Sequence, residues 1–136
     1  MNPIEFLNVA NRLHTSPNEA ERRTSISRSY YATYHILVQA LSARQVQFEG
    51  TGDDHGRLAQ YLAGSGDQRT QKIGGHLNTL RFSRVDADYK LSKPMDARHS
   101  QLSYMMADRA IRGFNAIGDR DVESIVNAIK ALPLHK

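Results

Sequence analysis

From Asn18 to Arg44 the chain carries neither glycine nor proline. This uninterrupted run constrains the fold more than any other feature of the sequence. It is introduced by Ser16-Pro17-Asn18-Glu19, which reads as a capping box with Ser16 at N-cap, Pro17 at N1 and Glu19 at N3. The expectation is one long helix over about residues 17–44. With Ile26 at zero and 100° per residue, Tyr30, Thr33, Leu37, Ala40 and Leu41 fall within about 60° of it and form the core face. Arg28, Tyr31 and His35 fall between about 140° and 200°, a second, polar stripe on the opposite side.

The remainder of the chain reads the same way. Ile4, Phe6, Leu7, Val9, Ala10 and Leu13 give a helical stripe over residues 3–14. Gly50, Gly52 and Gly56, with Asp53 and Asp54, mark a loop, followed by a short helix over about 54–62. Gly64-Ser65-Gly66 closes that helix and Asp67 caps the next, over about 68–84. The pair Gly74-Gly75 inside it implies a close helix contact or a kink. Residues 90–96 form a loop, Asp96 caps a helix over about 97–116, and a last helix over about 119–131 is stopped by Pro133. No segment alternates as a half-buried strand does. The fold class is all-α: an up-and-down bundle of five to six helices, with residues 1–136 as a single domain.

Composition narrows the chemistry. The chain has no cysteine, which excludes disulfide scaffolds, thiol nucleophiles and cysteine-ligated zinc. The six histidines lack zinc-site spacing, and no Walker A or HExxH pattern is present. Neither a metal nor a cofactor is called for. No signal peptide or membrane-spanning run is evident, so a soluble, cytoplasmic domain is expected. Thirteen arginines and five lysines against fourteen acidic residues give a net charge of +4. That excess, carried mostly by arginine, suits a polyanionic partner such as RNA or a nucleotide.

Arg28 and His35 are the candidate chemical pair. Seven residues apart, they lie two turns along one helix face, about 10.5 Å apart along the axis. Histidine moves protons near neutral pH, and arginine stabilises charge developing on a phosphoryl group. The same spacing also describes an ordinary solvated face, and Tyr30, Tyr31 and Tyr34 equally suit packing. Arg98, Arg109 and Arg112, with Lys90 and Lys93, are either an extended basic surface or a solvated one.

Ser27-Arg28-Ser29-Tyr30-Tyr31-Ala32-Thr33-Tyr34-His35 resembles the "SRxYYAxxH" helix of HEPN domains (higher eukaryotes and prokaryotes nucleotide-binding). One small bacterial and archaeal branch follows it with a His-Gly pair, matched by His55-Gly56, and then with an "LRxxRxxADY" stretch. Leu80-Arg81-Phe82-Ser83-Arg84-Val85-Asp86-Ala87-Asp88-Tyr89 matches the latter. The three elements occur in order over about residues 20–112. The family's helical bundle agrees with the independent reading.

The resemblance implies one of two functions. Many HEPN domains are metal-independent ribonucleases of toxin–antitoxin, CRISPR-linked and antiviral systems, marked by an arginine, four to six residues, and a histidine. Arg28 and His35 match at the six-residue limit, with Arg28 binding phosphate and His35 transferring the proton. Others are non-catalytic partners of small nucleotidyltransferases, or bind nucleotides. The resemblance also implies a homodimer, in which two Arg28/His35 faces would supply the acid and base that one histidine cannot. Tyr31, His55, Arg84 and Asp88 are the implied supporting residues. On the residues alone, His55 reads as a surface group at a helix N-terminus, and Arg84 and Asp88 as a structural i,i+4 ion pair beside a packed Tyr89. Two features depart from the nuclease pattern. Ser29 stands where Asn, Asp or His often follows the arginine, and Ile36 and Leu37 follow His35 in place of the tyrosine motif of nucleotide-modified toxins.

Overall fold

A computed structural model describes residues 1–135. Six α-helices follow one another: α1 (Ile4–Leu13), α2 (Glu19–Ser42), α3 (Asp54–Ala63), α4 (Gln68–Tyr89), α5 (Ala97–Asn115) and α6 (Asp119–Lys130), then a 3-10 turn over Pro133–His135. There is no strand among the described residues, and the architecture is an all-α helical bundle. No helix among them is long and apolar enough to cross a membrane.

Helix α2 is the axle: α1, α4 and α5 all pack on it. Its expected core stripe is buried at Ile26, Tyr30, Thr33, Leu37 and Leu41, while Ala40 is half-buried. The expected polar side is not a solvated face. Ser25, Ser27 and Ser29 are buried and Arg28, Tyr31 and His35 half-buried, because neighbours surround the helix. Serines let the neighbours approach closely. Ser25 Oγ donates to Ala10 O of α1 at 2.7 Å, and Ser100 Oγ of α5 donates to His14 O at 2.6 Å.

The start of α2 differs from the capping-box expectation. Asn18 is the N-cap, its side chain accepting from Glu21 N at 3.1 Å. Ser16 sits two residues earlier and braces that cap, accepting from Asn18 N and donating to Glu21 Oε1. The helix therefore starts at Glu19. Asp67 and Asp96 do cap α4 and α5, and Asp96 completes a capping box with His99.

Helix α4 runs to Tyr89, five residues past the expected end, for a non-local reason. The buried Arg23 guanidinium of α2 donates to Asp86 O (3.3 Å), Ala87 O (2.9 Å), Lys90 O and Leu91 O (3.3 Å each), and also to Lys93 O. Ala87 O, Leu91 O and Lys93 O accept from no backbone N–H among the described residues, and all five carbonyls lie at or just beyond a helix C-terminus, where a cation is favourable. Gly74 explains the glycine pair. A Cβ there would stand 3.0 Å from Leu62 Cβ, so α3 and α4 touch at that point, whereas Gly75 faces open space.

The loop before α3 is held by one buried carboxylate. Asp54 accepts from Glu49 N at 2.9 Å and Gly50 N at 2.7 Å and pairs with Arg57 at 3.4 Å. This ties the loop back onto the first turn of α3 and fixes the position of its neighbour His55.

Candidate functional site

Residues from four helices meet beside the middle of α2. Arg28 lies over two aromatic rings, 4.5 Å from the Phe6 centroid and 5.1 Å from that of Tyr31. Tyr31 in turn stacks on His35, with centroids 5.9 Å apart and planes at 25°. Tyr31 thus lies against both members of the Arg28/His35 pair, which share its ring and make no hydrogen bond to each other among the described residues. Phe6 of α1 also flanks both, 6.1 Å from the His35 ring. Such cation–π contacts contribute about 0.5–1 kcal/mol each, more where water is excluded.

His55 is not the surface residue expected of a helix N-terminus. Its ring stacks on Tyr34 at 4.3 Å and 22°, lies 5.6 Å from Tyr30, and its Nδ1 is hydrogen-bonded to Tyr30 Oη. The fixed loop turns it inward, and the tyrosines of α2 supply an aromatic socket. Burial holds its pKa below the ordinary value, and the positive charges of Arg81 and Arg84 and the neighbouring His35 lower it further, with Asp54 opposing. Burial, then Arg28, likewise depresses the pKa of His35. The Tyr30 hydroxyl is pushed up by burial, so it stays protonated. A protonated Tyr30 beside a neutral imidazole donates to Nδ1, which leaves the His55 proton on Nε2.

Arg84 closes the third side. Its guanidinium stands 5.3 Å from the Tyr31 centroid and 5.6 Å from that of Tyr30. The expected Arg84–Asp88 pair is present but long, at 3.9 Å, with the arginine side chain 12% exposed. Asp88 Oδ2 also accepts from Ser27 Oγ at 3.1 Å, which links the end of α4 to α2. Tyr89, expected to pack beside the pair, does lie against it, its ring centroid 5.9 Å from the Arg84 guanidinium, but is otherwise 72% exposed.

All six sequence candidates (Arg28, Tyr31, His35, His55, Arg84 and Asp88) therefore surround one cluster. Four participants were not singled out as site residues. Phe6, Tyr30 and Tyr34 read as packing groups, and Arg81, the first arginine of the LRxxRxxADY stretch, is not among its implied site residues. Arg28 and Arg81 have no ion-pair partner among the described residues, and Arg84 has only its long contact to Asp88. The Nε of Arg84 is buried without a hydrogen-bond partner. A small hollow of about 200 Å³ lined by Met1, Pro3, Phe6, His35 and Gln39 opens on the His35 side.

The wider basic surface is partly neutralised. Lys90 and Lys93 both bind Asp86, at 3.0 and 2.6 Å, and Arg112 binds Asp108 at 3.0 Å, while Arg98 and Arg109 have no such partner among the described residues. No three His, Asp or Glu side chains gather among the described residues in a way that could hold a metal ion.

The cluster can thus offer two imidazoles held neutral, three arginines with little counter-charge, and stacked aromatic faces. That combination suits a phosphodiester flanked by bases. Compared with protein-family models, curated proteins and solved structures, the chain matches none.

Proposed function

We propose that this chain is a metal-independent endoribonuclease of the HEPN kind, working as a toxin or defence effector. The observation that carries the reading is the convergence of Arg28 and Arg84 with His35 and His55 around the α2 tyrosines, with no ion-pair partner for Arg28 among the described residues and only the long Asp88 contact for Arg84. In this reading Arg28 and Arg84 bind the scissile phosphate. His35, neutral by virtue of its depressed pKa, takes the proton from the ribose 2′-OH. The 2′ oxygen bonds to phosphorus and the P–O5′ bond breaks, leaving a 2′,3′-cyclic phosphate and a 5′-hydroxyl. His55 delivers the proton to O5′. Burial, and then the charges of Arg81 and Arg84, keep His55 neutral; the arriving phosphate anion offsets those charges and stabilises the imidazolium, whose Nδ1–H is held by Tyr30 Oη. Two histidines of one chain would then supply the acid and base, and a homodimer would not be needed for that purpose.

The test is cleavage of structured and unstructured RNAs in EDTA by the wild type and the Arg28→Ala, His35→Ala and His55→Ala proteins. Cleavage with cyclic phosphate ends by the wild type, reduced by at least a hundredfold in each variant, is the expected result. Equal cleavage by all four proteins, or none by any, overturns it.

A second reading is favoured by a separate observation. Phe82, two turns before the end of α4, Tyr89 at its end and Leu91 just beyond it are each more than 70% exposed, and Tyr89 lies against Arg84 of the cluster. In that reading the chain is a non-catalytic subunit that docks a small nucleotidyltransferase through this apolar edge and presents bound nucleotide. Absence of cleavage, together with stable co-purification of such an enzyme, would select it.

A further inference from the structure

The opposite end of α4 carries a second gathering of positive charge. Arg69, Lys72, Ile73 and His76 of α4 and Arg109 and Gly113 of α5 line a groove of about 370 Å³. No carboxylate lines it. Arg69 is held at the rim by Asp67 (2.8 Å) and Asp121 (3.1 Å), but Lys72 and Arg109 have no ion-pair partner among the described residues. Lys72 and Arg109 lie on consecutive antiparallel helices joined by the short connection 90–96, and the packing of α4 on α5 brings them together. His76 lies between them, half-buried, and its Nδ1 is buried without a hydrogen-bond partner. Burial and the charges of Lys72 and Arg109 hold it in the neutral state. Beside the groove, His76 and Arg109 also border a hollow of about 90 Å³ with Leu102, Met105 and Met106. Leu102 and Met105 are exposed.

Uncompensated cations around one concavity, beside an exposed apolar ledge, match a ligand that is anionic at one end and flat and apolar at the other. We propose that the α4/α5 groove binds the phosphate of a nucleotide or of an RNA strand between Lys72 and Arg109, with the base against Leu102 and Met105. The site is separate from the Arg28/His35 cluster. Lys72 and Arg84 are about 18 Å apart along the axis of α4, and the two sets face directions about 100° apart around it. The inference stands whether or not the cluster cleaves RNA.

The test is titration of the full chain with inorganic phosphate, AMP and a twelve-residue oligouridylate, read by binding isotherms and by the His76 imidazole NMR signals. AMP is expected to bind more tightly than inorganic phosphate and to move the His76 signals. The Lys72→Ala/Arg109→Ala protein should lose at least tenfold in affinity, with its thermal midpoint unchanged since both side chains are exposed. For the oligonucleotide, the slope of log affinity against log salt should fall by about 0.7 in that variant, for the one phosphate held between the two cations. The Arg28→Ala/His35→Ala protein should bind AMP here as the wild type does. Oligouridylate binding far above AMP identifies the strand backbone as the source, and equal binding identifies the free nucleotide. Still His76 signals with every probe, or equal affinity in the Lys72→Ala/Arg109→Ala protein, overturns the site. So does tighter binding of a polyglutamate peptide than of any phosphate.

Discussion

Replacing Arg23 by methionine tests the claim that α4 owes its last turn to α2. The guanidinium is 8% exposed and reaches five carbonyl oxygens, two of them in the last turn of α4 and three in the connection that follows. Hydrogen bonds from a charged donor contribute about 1.5–3 kcal/mol each where the acceptor would otherwise be buried and unpaired. They are not additive, and some of these carbonyls can rehydrate. Counting only the two closest, Ala87 and Lys93, gives a loss of about 3–5 kcal/mol for Arg23→Met. Methionine keeps the apolar stem, so little of this is packing. Urea unfolding with a constant m value measures the change. For a chain of this size it corresponds to a fall of about 10 °C or more in the thermal midpoint. Amide exchange should quicken first at residues 84–89, since those turns lose their anchor while the core of α4 does not. Arg23→Lys keeps the charge but not the planar fork and should recover only part of the loss. A stability within 1 kcal/mol of wild type, by the same measurement, would refute the reasoning.

Other predictions follow from single contacts. Gly74→Val should cost about 1–3 kcal/mol, because its Cβ would stand 3.0 Å from Leu62 Cβ, whereas Gly75→Ala, in open space, should stabilise by about 0.5–1 kcal/mol; paired thermal melts decide, and equal signs would contradict the contact. The folded-state pKa values of His35, His55 and His76 lie below the ordinary 6.5, so the unfolded chain binds more protons below that pH. Stability should therefore be complete above about pH 6.5 and fall as pH drops through and below it. The depressed carboxyls of Asp67, Asp86 and Asp96 add their own loss only below about pH 4. Urea midpoints that stay flat or rise between pH 7 and pH 5 would contradict the histidine assignment.

Local chemistry was legible in the sequence and long-range chemistry was not. The 3.6-residue period of α2 marked Ile26, Tyr30, Thr33, Leu37 and Leu41, and all five are among the most deeply buried large side chains. Asp67 and Asp96 were readable as caps because a cap acts within three residues. The end of α4 was not readable, because the group that extends it, Arg23, lies more than sixty residues earlier. The inward turn of His55 was hidden for a similar reason. It depends on Asp54 binding two loop amides and on an aromatic socket from another helix. The polar side of α2 looked solvated because a helical wheel describes one helix alone. It cannot show that α1 and α4 bring Phe6 and Arg84 over that side.

The way the charges are held bears on what the cluster is for. A structural arginine that must be buried is normally matched by a carboxylate or by carbonyls, as Arg23 is by five carbonyl oxygens and Arg57 by Glu49 and Asp54. Arg28 and Arg84 are held differently. Phe6, Tyr30 and Tyr31 support them through ring faces, which orient a guanidinium while leaving most of its N–H donors unspent. Two imidazoles kept neutral beside them avoid adding to the repulsion until an anion arrives. Purely structural arginines would gain by acquiring acidic partners, whereas a site that receives a phosphate would be blocked by them. Placing a carboxylate beside Arg28 by Tyr31→Glu should therefore separate the two roles. It should leave the fold within about 1–2 kcal/mol of wild type by urea unfolding while abolishing RNA binding at the cluster. Unchanged RNA binding when Tyr31→Glu is added to the Lys72→Ala/Arg109→Ala protein, in which the groove is disabled, would mean that the arginines serve the fold alone.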